Sequence, residues 1–196
     1  IGVADHSQSL AMTRGLTPDR VRRQWEAVDE LNARVDGITV LKCTEVDILA
    51  DGRLDFDDDL LEGFDLVVAS LHSGLRASGD EGTARVLAAI EHPHVDAIGH
   101  PRGRMMGRRD GLALDIAAIA ERAAATGTWL EINGQPRRLD LDSDLARVAL
   151  AAGARLLLSS DAHGPDELEY LDLALRVARR AGARPEDVAN TRMPGT

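Results

Sequence analysis

Aromatic residues are nearly missing from this sequence, with two Trp, two Phe and one Tyr in 196 residues. A core must therefore be built from Leu, Val, Ile and Ala, and platforms for stacking unpaired bases are scarce. Cysteine is as rare. Cys43 stands alone, which excludes an internal disulfide and fits a reducing cytoplasm. Lying in an apolar run, it reads as a small buried residue and not as a nucleophile. No apolar run approaches the roughly 18 residues of a membrane span, so no membrane partner is indicated. Basic residues are also in short supply. Against 33 Asp and Glu there are 23 Lys and Arg, a net charge of −10 that gives no long-range attraction to nucleic-acid phosphates.

The apolar share, 44%, is enough for one domain with a sizeable core. Ile1 opens directly on a strand-like run, and the expectation is a single domain over 1–196 that forms the C-terminal part of a longer protein. Strand-like runs alternate with helix-like segments throughout. Thr17 and Pro18 read as an N-cap and a first-turn proline, and Val21, Trp25, Val28, Leu31 and Val35 then recur at helical spacing. Gly37 ends that helix and 38–41 reads as the next strand. A short helix over 57–64, a strand over 66–71, a helix over 81–91 stopped by Pro93 and a short strand at 97–98 follow. Further on come an Ala-rich helix over 114–125, a strand over 129–132, a helix capped by Ser143 and a fully apolar strand over 156–158. The last helix, 165–181, is expected to turn Leu168, Leu171, Leu175 and Ala178 inward, and the final dozen residues read as a tail.

This alternation argues for α/β with a parallel sheet, and the chemistry sits where the runs end. IGVA is followed by Asp5 and His6, ITVLKCT by Glu45, DLVVASL by His72, VDAIG by His100, and RLLLSS by Asp161 and His163. A sixth run, TWLEIN, carries Glu131 and ends on Asn133. In a repeated β/α fold the C-terminal ends of the strands converge on one face, so these residues would meet in one pocket. Such a spread favours a barrel over an open doubly wound sheet, which gathers ligands at one switch point. Mixed His and carboxylate donors suit Zn²⁺, Mn²⁺ or Fe²⁺ better than Mg²⁺. Carboxylates shared between two such ions suit phosphate-ester hydrolysis.

Each pair also has a plainer reading, Asp161 as a helix cap beside a surface His163 for example; only the coincidence across the runs outweighs it. His92 and His94 lie in the turn before a strand, at the wrong end for ligands. The acidic stretch 55–59 reads as a solvated helix start. Arg102, Arg104, Arg108 and Arg109 after His100 are either a solvated loop or a phosphate clamp, with Arg104 the foremost candidate. Arg137 and Arg138 could form a second clamp.

DHS, TEVDILADGRLDF, VVASLHS, IGHPRGR, LEINGQPRRLDL and SSDAH, in this order, resemble the PHP (polymerase and histidinol phosphatase) superfamily. More narrowly they are similar to the PHP domain of bacterial family X DNA polymerases, as are GLTPDRVRRQWEAVDELN and ARRAGARPEDVANTR. The resemblance implies a distorted (β/α)7 barrel, lacking its first β/α unit in this chain, with up to three divalent ions, Mn²⁺ or Zn²⁺. It implies His6, Glu45, His72, His100, Asp161 and His163 as metal ligands, Glu45 bridging two ions, and Glu45, Asp161 and Arg104 as catalytic residues. The implied activity is 3′–5′ exonuclease hydrolysis at DNA 3′ ends. Its alternatives are a histidinol-phosphatase-like phosphomonoesterase and a catalytically incomplete module of a DNA polymerase or repair protein. An upstream polymerase or helix-hairpin-helix domain is the implied partner.

The sequence also departs from the family. The His-x-His pair that opens the family pattern is not present. The position of Glu45, His72 and His100 is complete, that of His6 and His163 is short of a ligand, and that of Glu45 and Asp161 lacks its His pair. Arg102 stands where the subgroup usually has Thr. An open barrel would also leave strand edges at 1–4 and 156–160, expected to dimerise, recruit a further segment or leave the chain marginally stable.

Overall fold

The computed structural model describes residues 1–10 and 14–191. Six strands, β1 (Gly2–His6), β2 (Leu41–Asp47), β3 (Leu66–Ser70), β4 (Ala97–Gly99), β5 (Trp129–Asn133) and β6 (Leu156–Ser159), pair in chain order. Every pairing is parallel, and the sheet curls into an open half-barrel. The connections carry α1 (Pro18–Asn32), α2 (Asp58–Leu61), α3 (Gly79–Ile90), α4 (Ile116–Thr126) and α5 (Ser143–Ala151), with α6 (Leu171–Ala181) after the last strand. Among the described residues no helix is long and apolar enough to cross a membrane.

Side chains alternate across a strand, and here the two faces differ in kind. Val46, Val67, Ala69, Ile98, Leu130, Ile132, Leu156 and Leu158 join the main core with Val86, Ile90, Ile119 and Ala123 of the helices. On the opposite, concave face Val68, Ala97, Leu157 and Ala189 form a smaller apolar cluster. Further along the strands the concave face turns polar, and Asp47, Ser70, Glu131 and Asn133 are all buried there. Alanines at 120, 123, 146, 149, 174 and 178 leave the helix backbones free to pack closely, which compensates for the shortage of large aromatics.

Several boundaries depart from the sequence reading. The second strand begins at Leu41, and Ile38 is 52% exposed. Residues 38–40 are held beside the sheet instead. Thr39 O takes the Ile1 ammonium at 2.7 Å, and the Asn32 amide clasps both Val40 N–H and C=O at 2.8 Å. Asp142 rather than Ser143 caps α5, accepting from Asp144 N and Leu145 N. Residues Pro165–Tyr170 wind as a 3-10 turn, so the helix proper begins only at Leu171. Ala178 faces inward and Leu175 packs against the core as expected, joined by Ala174 and Ala181, while Leu168 and Leu171 stay exposed.

The expected tail is partly structure. Val188 bridges Leu156, and the Asn190 amide pairs with both Leu158 N–H (2.8 Å) and C=O (2.9 Å). The β6 edge, expected to be open, is therefore covered there; residues 192–196 lie outside the described residues. At the other edge Ile1 and Val3 are exposed, and Leu16 meets β1 at its end, donating its N–H to His6 O.

Candidate metal centre

Register brings the site together. His6 ends β1 directly beside Glu45 of β2, and Asp47, two residues on, lies on the same face beside Ser70. His72 leaves the end of β3 and His100 the end of β4. Asp5, one residue before His6, points the other way and accepts from Gln24 of α1.

Around Glu45 the donors crowd. His6 Nδ1 lies 3.5 Å from Oε2, while His72 Nε2 and His100 Nε2 lie 3.2 and 2.7 Å from Oε1. The rings of His6 and His72 meet edge to face at 5.0 Å, those of His72 and His100 at 5.1 Å. Yet His6 Nδ1, Glu45 Oε1 and His72 Nε2 are buried and none makes an aligned hydrogen bond. They approach one another but aim past one another, and buried polar atoms are rarely left so. His6, Glu45 and His72 each offer a donor atom within 4.8 Å of the others. A divalent cation fits this donor set, because it would use the lone pairs that nothing else in the site satisfies.

Protonation supports the same reading. Burial opposes the Glu45 charge, but His100 and His72 hold its carboxyl well below the usual carboxylate range. Burial would lower His72 as well, yet its contacts with Asp47 and Glu45 lift it to about 9. His100 is raised chiefly by Glu45 against its own desolvation, while burial lowers His6. Histidine ligands must be unprotonated to bind a metal, so a cation held among these donors would compete with protons for the rings.

Asp47 is the residue the sequence reading missed. His72 donates Nδ1–H to it, which leaves Nε2 free on the cluster side of the ring, 3.2 Å from Glu45 Oε1. Asp47 also accepts the Ser9 hydroxyl at 2.5 Å and donates its own N–H to Ser7 Oγ at 2.9 Å. A carboxylate behind a histidine fixes its tautomer and makes it a better ligand. The signal was available, since Asp47 follows Glu45 at the strand period of two.

The remaining predicted residues are placed differently. Asp161 is partly buried, its Oδ2 accepting from Asn133 Nδ2 at 3.0 Å and lying 3.3 Å from Arg138 Nε. His163 turns outward, 63% exposed, with Nδ1 on the Asp161 carbonyl at 2.9 Å. Arg104 spends its guanidinium on Arg138 O, Leu139 O and Asp142 Oδ2, and so braces the loop that presents Arg138. His92 contacts Asp58 and His94, outside the cluster, and Asp57 caps α2 as the acidic stretch suggested.

A strongly similar sequence is the DNA polymerase/3′-5′ exonuclease PolX of Bacillus subtilis, 38% identical over 192 residues, which are 98% of this chain and 34% of that protein. The chain thus spans about a third of that relative's length. Probable phosphatases of Thermoanaerobacter sp. and Syntrophotalea carbinolica are 30% and 32% identical over 82% of the chain and cover 67% and 68% of their own lengths. Histidinol phosphate phosphatase of Lactococcus lactis, solved with zinc, L-histidinol and phosphate, shares the fold. It superposes with a TM-score of 0.61 at 17% identity, over 84% of this chain and 75% of that one. No family model matches the chain. The curled parallel sheet with a His and carboxylate cluster at its strand ends is that of a PHP-type protein. The chain belongs to the PHP superfamily, close to PolX.

Proposed function

We propose that this chain is a metal-dependent phosphoesterase domain that hydrolyses phosphodiesters at DNA 3′ ends. The observation that carries the metal reading is the set of buried, mutually misaligned lone pairs on His6, Glu45 and His72. The substrate reading draws on the similarity to PolX across nearly the whole chain. A divalent cation held there would polarise a phosphate oxygen and lower the pKa of a water.

His6, Glu45, His72 and His100 hold the cation in this reading, and Asp47 keeps His72 oriented. Asp161 and His163 are the candidate ligands of a further ion, His163 turning in from the surface. Arg138 is the phosphate-facing guanidinium, since Asp161 takes its Nε and Arg104 is committed to the loop beneath. The reading places the domain in the cytoplasm, beside a polymerase or helix-hairpin-helix domain of a longer repair protein.

The test is hydrolysis of a 5′-labelled oligonucleotide by the Mn²⁺-loaded chain, with Glu45→Gln as control. Stepwise shortening that Glu45→Gln abolishes is the expected result; shortening that survives Glu45→Gln would overturn the ligand assignment. A second reading, a phosphomonoesterase for small molecules, is favoured by the net charge of −10 and the scarcity of stacking aromatics. Release of phosphate from histidinol phosphate with the oligonucleotide left intact would establish it instead.

A further inference from the structure

Glu131 lies in the middle of β5 on the concave face, 6% exposed, where the apolar cluster of Val68, Ala97 and Leu157 gives way to the polar strand ends. A buried carboxyl is costly to keep where a Leu would pack, so its contacts must account for it. Oε2 accepts the backbone N–H of His100, and Oε1 accepts the Ser159 hydroxyl at 2.5 Å. Asn133 Nδ2 sits 3.4 Å from Oε2 and, at 3.0 Å, reaches Asp161 Oδ2. One carboxyl thus joins the exits of β4 and β6 from the strand between them.

Both exits are strained. His100 has φ +24° and Asp161 φ +49°, values that favour glycine. Such conformations persist only where the surroundings over-determine them. At His100 the surroundings are the Glu131 carboxyl on N–H and the Gly103 N–H on its carbonyl at 2.7 Å. At Asp161 they are Asn133, Arg138 and the anchored Ser159 two residues before. Gly99 completes the arrangement, because a Cβ there would fall 2.3 Å from Ser70 Oγ and 3.6 Å from Glu131 Oε2.

We propose that Glu131 is a positioning residue that holds His100 and Asp161 in the mutual geometry the metal site requires. It touches none of the reacting atoms and acts through the two turns. This rests on the metal reading of the Glu45 cluster, and the experiment separates the two.

Mn²⁺ affinity is measured by titration calorimetry, with far-UV circular dichroism, on the wild-type chain, Glu131→Ala, Glu131→Gln and Ser159→Ala. Glu131→Ala is expected to weaken Mn²⁺ binding by about 10–100-fold, the range found for residues behind metal ligands. Glu131→Gln is expected to recover most of that loss, because the amide oxygen can accept from His100 N–H while the Ser159 hydroxyl reverses to accept from the amide nitrogen. Ser159→Ala, which frees only the β6 exit, should fall between them. A folded Glu131→Ala that binds Mn²⁺ as the wild type does would overturn the proposal and leave the metal site standing. Glu131→Gln as weak as Glu131→Ala would overturn it too, since hydrogen-bond geometry would not be the cause. Should Glu131→Ala fail to fold, Ser159→Ala decides: a several-fold loss supports the proposal and unchanged affinity refutes it. A wild-type chain that binds no Mn²⁺ would refute the metal reading itself, and this proposal with it.

Discussion

Asp47 and His72 form the contact on which ligand geometry at the centre depends most directly, because Nδ1 is tied and Nε2 is thereby aimed. Asp47→Asn keeps the shape but replaces an acceptor oxygen pair with one that can present a donor. Mn²⁺ affinity is expected to fall about 10–100-fold, read by calorimetry, with little change in fold. An unchanged affinity would mean that Glu45 alone orients the ring. Cys43 offers a pH-dependent counterpart away from the site. Burial, with Asp65 nearby, pushes its thiol up to about 12, so thiolate is scarce in the folded chain at pH 8. Labelling by a thiol reagent at that pH should be much slower for the folded than for the urea-unfolded chain, and should quicken as pH rises. Equal rates would show β2 to be open to solvent.

Which residues meet was legible from the sequence where they followed a run directly. His6, Glu45, His72 and His100 were found that way, and the structure gathers them. Asp47 lies one strand period beyond Glu45 and so does not follow its apolar run directly. The outward turn of His163 and the engagement of Arg104 depend on contacts with Asp161 and with residues 138–142, which no local pattern encodes.

Elements were legible by alternation and misread at their ends. The run at 38–41 has strand composition, yet its pairing starts only at Leu41, where β1 supplies a partner. The C-terminal residues looked like tail because the bonds that matter reach back 32 positions in sequence, from Asn190 to Leu158. Asn190→Ala removes a donor and an acceptor from an apolar sheet edge. It is expected to cost about 1–3 kcal/mol by urea denaturation, the penalty for unsatisfied backbone groups. A change within error would mean that water replaces the amide without loss.

On the scale of the whole molecule, fold class and family were legible because the motifs recur once per β/α unit, in an order the sheet preserves. Metal and stability are linked at this scale. A cation that binds only the folded chain adds about 2.7 kcal/mol at a hundredfold excess over Kd. Melting in saturating Mn²⁺ should therefore occur several degrees higher than in EDTA, and Glu45→Gln should abolish most of the difference. Identical melting curves for the wild type would show that the cluster holds no ion.

Because the strands stand in the sheet in the order in which they occur in the chain, this architecture also has a history within each molecule. His6, Glu45, His72 and His100 all fall in the first hundred residues, whereas Glu131, Ser159 and Asp161 arrive with the last two strands. A chain still being synthesised can thus assemble the ring of histidines before the parts that steady it exist. Capture of the ion would then come in two stages, a loose early grip and a later tightening, and the ion itself would act as an early template for the half-barrel that finally encloses it.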